Sequence, residues 1–90
     1  MFIKVHDWML QKWPRNLEMV IVFALVNDMT ESGRGFFAGY TKLSEMTGIP
    51  KAKCKTAIES LLAVGAIFQS PIRIGGVGRI VWKSNPDFKP

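Results

Sequence analysis

The sequence predicts a mainly α domain with a small β-hairpin, and three observations carry that expectation. Residues 41 to 67, TKLSEMTGIPKAKCKTAIESLLAVGAI, read as two helices joined by a tight turn at Gly48, the second with three lysines around its start. Residues 17 to 29 form a long segment at helical spacing that is apolar in two directions. The runs 67 to 74 and 79 to 83 flank the glycine-rich stretch 75 to 78, the pattern of two strands and a hairpin turn.

Taken in order, residues 2 to 6 alternate loosely and suggest a short strand. Asp7 can then cap a brief helix to about Lys12 that carries Trp8, Leu10 and Trp13 inward. Pro14 ends it. Asn16 is the candidate N-cap of the helix 17 to 29, and Glu18 sits in its first turn, where a negative charge meets the positive end of the helix dipole. Leu17, Ile21, Ala24 and Leu25 make one stripe of this helix, and Met19, Val22, Phe23, Val26 and Met29 make another. Two stripes need two covers, so either the segment bearing Trp8 and Trp13 or a second chain lies on the second one.

Residues 31 to 35, ESGRG, read as a loop, and 36 to 39 as a very short strand. Thr41 suits the N-cap of a helix running to about Met46. Pro50 opens the next helix, where its missing N–H costs nothing, and Gly65 caps that helix after about Val64. Pro71 confines its strand to an edge or a bulge. The expected organisation is a single domain, 1 to 84, made of an N-terminal segment 1 to 14, a core 16 to 65 and a hairpin 67 to 83, with 85 to 90 as an irregular tail.

Charge is divided unevenly. The formal net charge is +5, yet residues 1 to 31 carry three basic against four acidic side chains, and residues 32 to 90 carry nine against three. The basic half is the half with the two-helix motif and the hairpin, as an electrostatic footprint for a polyanion requires. The single cysteine, Cys54, has no intramolecular partner and fits a reducing compartment. No apolar run approaches the roughly 18 residues of a membrane span, and no secretory leader pattern opens the chain. A soluble, intracellular protein is expected.

Three helices followed by a hairpin make a winged helix-turn-helix: a three-helix core plus a wing, here with an extra short N-terminal helix. The segments FIKVHDWML, LEMVIVFALV and GFFAGYTKLSEMTGIPKAKCKTAIESLLAVGAI, with the hairpin after them, resemble the N-terminal winged helix domains of phage and plasmid replication initiators and primosomal replisome organisers. The resemblance covers residues 2 to 82 and implies DNA binding in replication initiation, with replication proteins as further partners, in the cytoplasm of a bacterium or phage-infected cell.

Helical steps place Cys54, Ala57, Ile58 and Leu61 on the inward side of the second motif helix. Ala52 and Thr56, flanked by Lys53, Lys55 and Ser60, are the major-groove candidates. Lysine donates to guanine or phosphate, threonine to several bases, and alanine meets a thymine methyl. Lys51, at the helix start, suits a phosphate, as do Thr41 and Lys42 at the start of the preceding helix. Arg73 and Arg79 flank the hairpin tip and suit phosphate or minor-groove contact, and Arg34 could extend the track. Glu59 also points outward, but in the third turn, away from the end that usually meets bases. The plain alternatives are a solvated lysine face and an ordinary charged hairpin.

Catalysis has no support in this pattern. His6 and Cys54 are the sole histidine and cysteine, no convergent set of polar groups can be named, and no metal or cofactor is expected. Gly76-Val77-Gly78 lacks the third glycine and the following helix of a nucleotide loop. The preferred function is sequence-specific or structure-selective double-stranded DNA binding, in phage or plasmid replication initiation or transcriptional regulation. A homodimer through helix 17 to 29 and the N-terminal segment is expected, which would set paired DNA half-sites about one helical turn apart. The rival function is an interaction module in which that helix and the N-terminal segment with Phe2, Trp8 and Trp13 dimerise or dock on replication machinery, with DNA contact incidental.

Overall fold

Asn16 sets the start of the longest helix: its Oδ1 accepts the Met19 N–H at 3.2 Å and satisfies one of the open donors of the first turn. In the computed structural model, which describes residues 3 to 88, the chain runs α1 (Asp7–Lys12), α2 (Leu17–Glu31), β1 (Phe36–Phe37), α3 (Tyr40–Thr47), α4 (Lys51–Ala63), β2 (Ile67–Ile74), β3 (Val77–Ser84) and a 3-10 turn (Pro86–Phe88). The architecture is α+β, four helices against a three-stranded antiparallel sheet of order β1-β3-β2. The hairpin strands are eight residues each, so the sheet is a larger part of the molecule than a mainly α reading allows.

α2 runs two residues past its expected end at Met29. Its stop is Gly33, at φ 90°, where the Gly33 N–H bonds Thr30 C=O at 2.9 Å and the Arg34 N–H bonds Met29 C=O at 3.1 Å. Those are the paired bonds of a Schellman cap, which a left-handed residue makes possible. The same cap closes α4, with Gly65 at φ 77° just after the expected Val64.

Nearly every side of α2 is covered, and Val20 and residues 22 to 26 have no exposed surface. The second stripe finds its cover within the chain: Phe23 meets Trp8 edge-on at 5.6 Å, Trp13 at 5.3 Å and Phe88 at 5.9 Å. α1 differs from expectation in detail. Met9 is the buried residue and Leu10, one step of about 100° further round, is exposed. Asp7 is not the cap; His6 holds that position without a side-chain bond, and Asp7 lies in the first turn. Residues 3 to 6 form no strand, because the Lys4 N–H is taken by the Asp28 carboxylate of α2 at 2.7 Å. Phe2 lies outside the described residues. The expected irregular tail also has a structure as far as Phe88, whose ring stacks on Trp13 at 5.6 Å after Asn85 Oδ1 accepts the Asp87 N–H.

Between α3 and α4, polar side chains tie the turn. Gly39, not Thr41, is the N-cap of α3, so Thr41 stands in the first turn. Gly48 takes φ 75° and Pro50 is the N-cap of α4. The Ser44 hydroxyl donates to Ile49 C=O at 2.6 Å, and the Cys54 thiol donates to the same oxygen at 3.4 Å. Cys54 is therefore a fully buried core residue that also steadies the turn.

The hairpin closes in two residues rather than four. Gly75 and Gly76 have φ of 56° and 80°, the two positive values a type I′ turn needs, so Val77 and Gly78 join β3. β2 is an edge strand, where Pro71 needs no ladder donor. The root is held firmly: the Ser84 N–H bonds Thr30 Oγ1 at 3.0 Å, the Ser84 hydroxyl bonds buried Asn27 Oδ1 at 2.8 Å, and the Asn85 N–H bonds Ala66 C=O at 2.8 Å. Trp82 stacks on Phe36 beside these bonds.

Candidate nucleic-acid interface

α4 buries Cys54, Ala57, Ile58 and Leu61, which leaves Ala52, Thr56, Glu59 and Ala63 along its outward line, all exposed. Lys51 and Lys55 stand on one flank of that line, and Lys53 stands on the other. The Lys53 ammonium lies 3.7 Å from the Glu18 carboxylate in the first turn of α2. Both groups are wet, so the pair is worth only about 0–1 kcal/mol, but it directs that charge toward α2. Lys53, Thr56 and the half-buried Ser60 line a small cleft against Asn16 and Glu18. The Thr56 hydroxyl donates to Ala52 C=O at 3.1 Å, so its proton is in use and its lone pairs are what it can offer a ligand.

A second basic surface is concave. Arg34 from the loop after α2, Lys42 from α3, Arg73 from β2 and Arg79 from β3 line one groove of about 1170 Å³ between the hairpin and the β1–α3 side, and no Asp or Glu lines it. Its apolar lining includes Phe37, Met46, Pro71 and Ile80. Phe37 is 47% exposed, and the Arg79 guanidinium carbon stands 5.5 Å from its ring centroid, a cation–π arrangement that holds the arginine over the ring.

The ten residues singled out from sequence thus divide. Lys51, Ala52, Lys55 and Thr56 share the convex surface of α4. Lys53 and Ser60 turn toward α2. Lys42, Arg73 and Arg79 share the groove with Arg34, and exposed Thr41 precedes Lys42 in α3 without lining it. Phe37, Gly78 and Ile80 also line the groove, and no motif pointed to them there; the one hint was an aromatic in a very short strand bracketed by glycines. Among the described residues no three His, Cys, Asp or Glu side chains gather where they could hold a metal ion, and no helix is long and apolar enough to cross a membrane. No protein-family model matches the chain, and no curated protein and no solved structure shows significant similarity to it.

Proposed function

We propose that the chain is a winged helix domain that binds double-stranded DNA, with α4 in the major groove and the β2–β3 hairpin as a wing along the adjacent backbone. One observation carries this reading: the glycine turn holds α4 out so that its first two turns expose Lys51, Ala52, Lys55 and Thr56 with no acidic side chain among them. Lys55 and Thr56 are assigned to base edges and Ala52 to a thymine methyl. Lys51, Thr41, Lys42, Arg73 and Arg79 are assigned to phosphates, which position the domain without reading sequence. Replication initiation and transcriptional control both suit such a domain; the sequence resemblance favours the first.

Fluorescence anisotropy on labelled duplexes at several salt concentrations tests the reading. Binding should weaken linearly in log–log form, with a slope of about −0.9 for each phosphate neutralised. A chain that shows no salt-dependent binding would sink it.

The second reading, a dimerising or docking module, had its ground in α2. Trp8, Trp13 and Phe88 now cover Phe23, so burial of that stripe requires no second copy. A homodimer would still have Val5, Leu10 and Leu17 to bury near the N-terminal segment, and Phe37, Val64, Phe68, Ile74, Val77 and Ile80 elsewhere. Light scattering at micromolar concentration tests the dimer: a mass near 10.1 kDa is a single copy and twice that mass a homodimer, and salt-dependent DNA binding beside it decides between a DNA-binding domain and an interaction module.

A further inference from the structure

We propose that the groove between the hairpin and α3 takes an extended acidic segment of a partner protein, which joins the sheet as a strand along the open part of the β3 edge. β1 faces β3 only at Trp82 and Val81, and the Ala38 N–H gives the last bond, to Ile80 C=O at 3.0 Å. The chain then turns away into α3 at Tyr40. β3 continues through Val77, Gly78 and Arg79 with no strand on that side among the described residues.

Pairing parity fixes which backbone groups are left facing outward. In a two-residue hairpin the residues flanking the turn, Ile74 and Val77, bond each other, so Val77, Arg79, Val81 and Lys83 spend their groups on β2. Gly78, Ile80, Trp82 and Ser84 point the other way. The observed bonds on Ile80 C=O and Ser84 N–H agree with this. The N–H and C=O of Gly78 and the N–H of Ile80 therefore present a donor, an acceptor and a donor to the groove. Gly78 also leaves the way clear, since a Cβ built there meets nothing within 4 Å. The opposite edge of the sheet is blunted by Pro71, a usual protection of edge strands; the β3 stretch carries no such block.

The lining selects the occupant. Arg34, Lys42, Arg73 and Arg79, with no Asp or Glu in the lining, favour an anionic chain, and exposed Phe37 and Ile80 favour one that also carries apolar side chains. The register puts Arg79 with Phe37 on one face and Arg73 with Ile80 on the other, so each face of an added strand meets a cation and an apolar group, and backbone pairing with side-chain pockets on both faces is how strand addition works. A nucleic-acid backbone fits less well. Phosphate oxygens only accept, so they satisfy the cations but offer no donor to Gly78 C=O and cover none of the apolar lining. Lys51 and Lys55 of α4 do not line the groove, so the peptide can be tested apart from them, whereas Lys42, Arg73 and Arg79 are also assigned to phosphates, so peptide and DNA compete for those three.

The test is an amide-resolved NMR titration of the isotope-labelled chain with a short peptide of glutamates and valines in paired order, Glu-Glu-Val-Val repeated, so that each face of the strand carries both. Shifts should centre on Gly78, Ile80 and Gly39, and hydrogen exchange at the Gly78 and Ile80 amides should slow on binding. Lys42→Glu with Arg79→Glu should weaken the peptide roughly tenfold or more, and Lys51→Ala with Lys55→Ala should leave it unchanged. The same peptide N-methylated at alternate residues, which keeps the charges but removes donors, should fail to bind. The proposal is overturned if the peptide leaves those amides unmoved, if the N-methylated or a lysine–valine peptide binds as well, or if duplex or single-stranded DNA slows their exchange in place of the peptide.

Discussion

α4 and the hairpin groove are both basic, and they are built in opposite ways. On α4 the charges come from neighbouring positions of one helix, stand on a convex surface, and have acidic company: Glu18 draws Lys53 aside and Glu59 closes the outward line at the third turn. In the groove the charges come from four separate elements, line one concave space, and have none. A convex helix suits a rigid groove that it enters. A concave channel with apolar walls suits a chain that enters it. Local net charge alone would have ranked the two surfaces alike; what separates them is curvature and the position of the carboxylates.

Seven substitutions break or sharpen that contrast. The largest expected effect is that of Lys51→Ala with Lys55→Ala, which removes the unpaired cations of α4. Anisotropy on duplex DNA should show roughly tenfold or more weaker binding and, where Lys55 reads a base, about 1–3 kcal/mol of lost discrimination. Next come Arg73→Ala and Arg79→Ala, each of which should weaken all duplexes alike and lower the salt slope by about one. A sequence-dependent loss in either would mean that the hairpin reads bases, against its assignment to backbone.

Glu18→Gln works in the other direction. It frees Lys53 from its 3.7 Å pair, and DNA binding at low salt should tighten by roughly two- to fivefold. No change would show that Lys53 lies off the DNA track altogether. Thr56→Ala should cost less than Lys55→Ala, because the Thr56 proton is already bonded to Ala52 C=O. The smallest effect belongs to Cys54→Val, which should keep fold and binding and shift stability by less than about 1.5 kcal/mol. Ile49 C=O loses the thiol but keeps the Ser44 hydroxyl at 2.6 Å, so thermal unfolding should move little.

The convex surface was legible in the sequence because helical directions depend only on spacing once the inward residue is known. Cys54, Ala57, Ile58 and Leu61 are buried as the spacing requires. Asn16 as cap, Gly48 and Gly65 as stops and Pro71 on an edge were legible for a similar reason, since each rests on local backbone chemistry. Leu10 and Met9 exchanged roles because a six-residue helix offers too few turns for periodicity to fix its phase, and the aromatic cluster on Phe23 decides it instead. Lys53 read as a flank of the binding face because nothing local announces that Glu18, on another helix, stands beside it. The groove was hidden for the same reason on a larger scale. Arg34, Lys42, Arg73 and Arg79 meet only because β3 pairs with both β1 and β2.

The root of the hairpin has a mechanical consequence. Ser84 and Asn85 are bonded into α2 and the turn after α4 through Thr30, Asn27 and Ala66, whereas a Cβ built at Gly75 or Gly76, at the far end, would meet nothing within 4 Å. The hairpin is a cantilever, clamped at one end and free at the other. A force at the tip bends it about the clamp instead of disturbing the helices, so Arg73 and Arg79 can follow a partner of varying shape while α4 keeps its orientation. Ser84→Ala would loosen the clamp by leaving Asn27 Oδ1 buried without a donor, at about 1–3 kcal/mol. A tip load would then be transmitted to the core.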